Sequence, residues 1–230
     1  MNGFHKKSLF ILSLTILLLL FGRYIYIHWS EFSQIKIVSP IYIFAIILLT
    51  ILFSLTYGLV IKYLLLAFGI KLRFNEYFGL SIITGFYNLI APLTGGVIPR
   101  AIYLKKKYNF RYRLFVSSLS GMYITHFLMG SILGMLSLFM LKLNYNNFNW
   151  TIFIVFASIF VVTLVLVLFS PKFKRTKIKW VNPLIHSING WHTIRNNKKV
   201  VFIVSIMSLA QTLINMLGIL LAFDIFGIKI

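Results

Sequence analysis

Apolar residues in this chain gather in long blocks, at residues 9–26, 41–60, 77–93, 114–141, 150–169 and 200–223, and the polar and basic residues fall between them. A helix rises 1.5 Å per residue, so a block of about 20 residues covers the roughly 30 Å hydrocarbon core of a bilayer. The pattern therefore predicts an all-α, polytopic membrane protein. The aromatic-rich stretch Phe21 to Trp29 supplies the belt expected where the first span leaves the membrane. There is no internal repeat and no low-complexity linker, so residues 1–230 read as one domain.

Composition agrees with the blocks. Sixty per cent of the 230 residues are hydrophobic and 11% are charged, too little polar surface to keep a globule of this size dispersed in water. The formal charge of +20 comes from 23 Lys and Arg against Glu31, Glu76 and Asp224. In a soluble protein that excess would suggest nucleic acid; placed between apolar spans it points to anionic lipid headgroups, with no nucleic-acid partner. The chain has no cysteine, which excludes thiol catalysis, disulfides and thiolate metal sites. Lys6 and Lys7 followed by an apolar run resemble a secretory signal, but no small-residue cleavage site follows, so this reads as an uncleaved first span.

Charge also orients the spans. Three basic residues lie over residues 62–73, six over 100–113 and eight over 172–199, and such loops belong on the cytoplasmic side. The block at 77–93 is flanked by two of them, so it cannot cross once and leave both ends inside. A cytoplasmic re-entrant hairpin resolves the conflict. Its turn is expected at residues 91–96, Ala-Pro-Leu-Thr-Gly-Gly, where proline stops a helix and paired glycines permit backbone conformations closed to other residues. The expected topology is N-terminus in, about five crossings and the hairpin, with 19 basic residues inside and four outside. Between residues 172 and 199, Leu184, Ile188, Trp191 and Ile194 recur at helical spacing after Asn182-Pro183. That pattern predicts a helix on the inner membrane surface, weakened by Gly190.

The most informative stretch is TGFYNLIAPLTGGVIPRAIYLKKK, residues 84–107, because a glycine turn precedes an arginine and a lysine cluster. Turn amides and a guanidinium together suit a phosphate; the alternative is that the glycines only turn the chain and Arg100 anchors the interface by snorkelling. Lys105, Lys106 and Lys107 are expected as a diffuse exposed cloud. The order Asn88, Pro92, Gly95-Gly96, Arg100, Tyr103-Leu104-Lys105 and a basic loop resembles the lysylphosphatidylglycerol synthase transmembrane-region family, also called flippase-like proteins. The likeness continues through residues 182–222. It implies a lipid-handling membrane protein, with Asn88, Pro92, Gly95, Gly96 and Arg100 as the headgroup site. The chain ends at Ile230, where family members usually continue with further spans, which puts a complete transport path in doubt. It also lacks a soluble aminoacyl-transfer domain, which argues against synthase activity.

Ser205, Ser208, Gln211 and Asn215 form one polar stripe on the last span, which must face protein or a wet cavity. Together with His126 they are the candidate cavity lining, the alternative being helix-to-helix hydrogen bonds. Gly130 and Gly134 make a Gly-x-x-x-Gly pair for close packing, within the subunit or in a homo-oligomer. Glu76 after Asn75 suits a helix start, and Asp224 an outer interface. No catalytic residue, metal ligand set or cofactor site is expected, because the histidines are scattered and the three acids lie in separate segments.

The leading functional expectation is a prokaryotic plasma-membrane protein that binds and translocates an anionic phospholipid or polyprenyl-phosphate-linked lipid. The alternative is a non-catalytic subunit that anchors an envelope lipid or polysaccharide synthesis enzyme. A transferase of the lysylphosphatidylglycerol synthase type ranks last.

Overall fold

The computed structural model describes residues 15, 18–32, 40–90, 95–145, 148–169, 173–174, 176 and 182–225. All regular structure among them is helical: α1 (Leu18–Ile27), α2 (Trp29–Phe32), α3 (Pro40–Leu66), α4 (Phe74–Ile90), α5 (Val97–Tyr108), α6 (Tyr112–Tyr145), α7 (Trp150–Phe169), α8 (Asn182–Arg195) and α9 (Lys198–Ile225). Four of these helices, α3, α6, α7 and α9, are long and apolar enough to cross a membrane. The shorter apolar helix α1 lies in the first expected span, whose earlier part is mostly outside the described residues. The chain is a polytopic helical membrane protein.

Two compact units are distinguished, one made of the chain up to Ile46 with the segment from Leu220, the other of Ile47–Ile219. The second unit holds every feature discussed below. Its long helices carry large apolar side chains outward, among them Ile51, Phe139, Val161 and Phe202, a surface suited to lipid and not to water.

The expected hairpin is present. At 17 and 12 residues, α4 and α5 rise about 25 and 18 Å, each short of a 30 Å core. They run antiparallel, with Glu76 meeting Tyr103 and Tyr108 at the base and Asn88 meeting Gly96 at the tip. Before the hairpin, α3 ends in a Schellman turn: Gly69 takes φ +81°, and Ile70 N–H reaches back to the Leu65 carbonyl. After it, Asn109 adopts φ 49° and its N–H caps the Leu104 carbonyl.

Close helix approaches fix the rest. A Cβ on Gly58 would lie 2.8 Å from the Tyr77 carbonyl oxygen, so glycine lets the α3 backbone approach that of α4. Gly190 of α8 lies directly against Ser117 of α6, and Gly121 of α6 receives Ile194 and Trp191 in return. The expected surface helix is thus docked on α6, with Trp191 and Ile194 fully buried. Gly190 is what permits the docking and does not break the helix. The Leu184 and Ile188 side chains lie outside the described set. Trp191 Nε1 donates to the Leu166 carbonyl of α7 at 3.0 Å, and the Arg195 guanidinium donates to that of Leu168.

These contacts bring the C-terminal ends of α3, α5 and α7 and the N-terminal ends of α4, α6 and α9 to one end of the unit, where α8 packs. The basic segments 62–73 and 100–113, and the described part 182–199 of the third, all belong to that end. Both buried apolar clusters lie near it: one holds Leu65, Leu72, Tyr77, Leu104 and Phe115, the other Val60, Leu64, Met122, Trp191 and Val204.

Candidate functional site

The base of the hairpin is organised by a single acid. Glu76 stands at the third position of α4, and its Oε2 accepts the Arg73 N–H at 2.7 Å, the return half of a capping box. Its Oε1 accepts from Tyr108 at 2.6 Å and Tyr103 at 2.8 Å, and pairs with Lys107 at 2.6 Å. The carboxylate side chain is only 9% exposed. Burial by itself pushes its pKa up, but the bonds from Lys107, Tyr108, the Arg73 N–H and Tyr103 outweigh it and hold the group at about 2, down from 4.5. Burial and the same acid push the Tyr108 hydroxyl up to about 12. Lys107 is therefore not part of a diffuse cloud: one of the three lysines is a fixed partner.

At the tip, Asn88 accepts the Gly96 N–H through Oδ1 at 2.9 Å, satisfying a donor at the start of α5. Gly96 has φ −78°, an ordinary helical value, so the expected need for a positive φ does not hold there. Space is the reason for glycine: a Cβ would overlap the Thr84 carbonyl oxygen and come within 2.7 Å of the Thr84 Cα. Gly95 is buried beside it. Pro92 lies outside the described residues.

Arg100 sits two turns inward from the Glu76 cluster. It is 3% exposed, flanked by the Tyr57 ring on α3 and the Phe115 ring on α6, whose centroids lie 5.9 and 5.4 Å from Cζ. Nη1 donates to the Tyr57 hydroxyl at 3.2 Å, and Nε has no partner. Beside it lies a cavity of about 10 Å³ walled by Ile61, Leu64, Leu65, Phe115 and Ser118, room for one water. Sequence reasoning placed this arginine at the interface, and packing draws it inside.

A second, larger cavity of about 390 Å³ opens among α3, α6, α7 and α9, halfway along them. His126, Ser131, Gln211, Thr212 and Asn215 supply its polar lining, and Phe53, Phe127 and Phe156 its aromatic walls. Three of the five expected lining residues are thus together. Ser208 is fully buried against Thr125 of α6, with oxygens 3.5 Å apart, and Ser205 does not line the cavity. Gly134 receives the Phe156 ring, whereas Gly130 faces open space at the cavity.

Tyr57, Ser131 and Thr212 were not singled out by sequence, and Tyr103 entered only as part of the family-like run, with no role of its own. Tyr103 and Lys107 lie one turn apart on α5, a spacing that signals a shared partner; Ser131 and Thr212 carry no such signal in an apolar helix. No group of three His, Asp or Glu that could hold a metal occurs among the described residues.

No curated protein and no solved structure matches the chain. A family match does exist: the family described as Lysylphosphatidylglycerol synthase TM region covers residues 8–230, spanning the hairpin, both cavities and the docked α8. The chain belongs to the lysylphosphatidylglycerol synthase transmembrane-region family.

Proposed function

We propose that this protein binds an anionic lipid headgroup at Arg100 and assists its passage across the cytoplasmic membrane of a prokaryote. The observation that carries the reading is a buried guanidinium without a counter-ion. Among the described residues no carboxylate lies within ion-pair distance of Arg100, and the acid nearest in the hairpin, Glu76, is occupied by Lys107 and two tyrosines. Burying an unpaired charge costs several kcal/mol, a cost that an anion offsets. Arginine suits a phosphate, whose oxygens it grips through parallel donors.

The cavity beside Arg100 has room for a water but not for a phosphate, so headgroup entry requires α5 to move from α6. The basic end of the unit would gather anionic lipid near that point, each exposed cation contributing about 1 kcal/mol.

Purified protein carrying Arg100→Ala or Arg100→Lys tests the reading, with retained phosphatidic acid and phosphatidylglycerol measured by mass spectrometry. Arg100→Ala should lose retention by about tenfold or more, and Arg100→Lys should recover only part of it, because an ammonium is a compact point charge. Wild-type retention in both would remove Arg100 as the site. Movement itself is read in vesicles with fluorescent lipids of the same classes, where the wild type should raise exchange between leaflets above protein-free vesicles.

A further inference from the structure

The cavity among α3, α6, α7 and α9 has a chemistry unlike that of Arg100. None of its lining residues is a lysine, an arginine or a carboxylate. An ionised phosphate there would find no cation, and an ammonium no acid, at a depth where an unpaired charge is costly. What the lining does offer is uncharged donors and acceptors in one place. Gln211 is 1% exposed and its Nε2 has no partner, so two amide hydrogens stand unused in a buried side chain. The hydroxyls of Ser131 and Thr212 spend their hydrogens on the Leu128 and Ser208 carbonyls, at 2.8 and 3.0 Å, leaving oxygen lone pairs as acceptors. His126 and Asn215 each bring a donor and an acceptor, neither engaged by another described residue.

A group that both donates and accepts at each of its oxygens matches this set, which is the property of a hydroxyl. The walls narrow the choice further. Phe53, Phe127 and Phe156 present ring surface to the same space, on which the C–H face of a saturated ring or chain packs. At about 390 Å³ the cavity falls in the range that takes a small ligand, about 300–1,000 Å³. We propose that it is a binding site for an uncharged, hydroxyl-rich group of sugar or polyol type. The source is a lipid headgroup or a free sugar, and the site stands independently of Arg100.

The test uses the full chain purified in a sugar-free detergent and offered glucosyl-diacylglycerol, diacylglycerol or phosphatidic acid, with retained lipid quantified by mass spectrometry. The wild type should retain the glucosyl lipid about tenfold over diacylglycerol, the scale of one to two net hydrogen bonds. Gln211→Leu removes the unpaired donors. Gly130→Leu fills the space without removing a polar group, at a position where a Cβ meets nothing within 4 Å, and thermal unfolding of each variant checks that it is folded. Both should bring the ratio toward one. Competition by free methyl glucoside would assign the source to a soluble sugar; selectivity that survives it would assign the source to a lipid. Phosphatidic acid has a phosphate and no polyol, so its retention reports on Arg100 separately in the same preparation. Equal retention of glucosyl-diacylglycerol and diacylglycerol by the wild type, or a ratio unchanged in both variants, would overturn the proposal.

Discussion

Glu76 shows what one side chain does in a chain with three acids and 23 basic residues. Because its folded pKa lies below its ordinary value, it contributes stability that is fully present above pH 4.5 and is lost as the pH falls through about 2. Thermal unfolding in detergent should therefore weaken across that window in the wild type and stay flatter in Glu76→Gln. At neutral pH the glutamine should cost about 1–3 kcal/mol, since the charge-assisted bonds go while an acceptor remains. Tyr108 has the opposite sign: its raised pKa gives a contribution present below pH 10 and lost as the pH rises through about 12. Gly96 is the other residue with a sharp expectation. An added methyl collides with Thr84, so Gly96→Ala should destabilise by about 1–3 kcal/mol, as overpacking does. At Gly130, where space is open, the same change should be neutral or stabilising by up to about 1 kcal/mol, so equal effects at the two sites would remove the steric account.

Among the elements, the hairpin and α8 behave differently from what hydrophobic periodicity alone describes. Periodicity finds the apolar run of α4 and the basic end of α5, and the charge conflict on either side requires the chain to turn back. It does not say that the limbs are pinned at both ends, because Glu76–Tyr108 and Asn88–Gly96 each join one limb to the other across the turn, and periodicity within a helix does not report such pairs. For α8 the same pattern predicted a helix lying on the surface, with glycine as a weakness. Docking on α6 turns that glycine into the point of closest contact. Gly190→Val should undock the helix. In a variant whose other tryptophans are phenylalanine, Trp191 emission should shift to the red and become accessible to a soluble quencher, whereas an unshifted spectrum would mean that α8 stays packed.

At the scale of the whole molecule, orientation follows from charge: the helix ends that carry the basic segments meet at one end of the larger unit, and that end should be cytoplasmic. Because the chain has no native cysteine, Tyr145→Cys in intact cells should react with an impermeant maleimide and Lys106→Cys should not. Labelling at Lys106 would reverse the placement of the hairpin. The spans, the membrane class, the hairpin and the family were all legible in the sequence, because a bilayer admits few backbone solutions and hydrophobic length and charge asymmetry select among them. Residues 88–100 could be marked as a candidate site, since turn residues beside an arginine form a local pattern. Only the tertiary structure decided that Arg100 is buried between Tyr57 and Phe115, that Lys107 is held by Glu76, and that the polar stripe divides between a helix contact at Ser208 and a cavity at Gln211 and Asn215. The physical reason is that periodicity shows which residues share a helix face, whereas the neighbour each face meets depends on contacts between segments far apart in the chain.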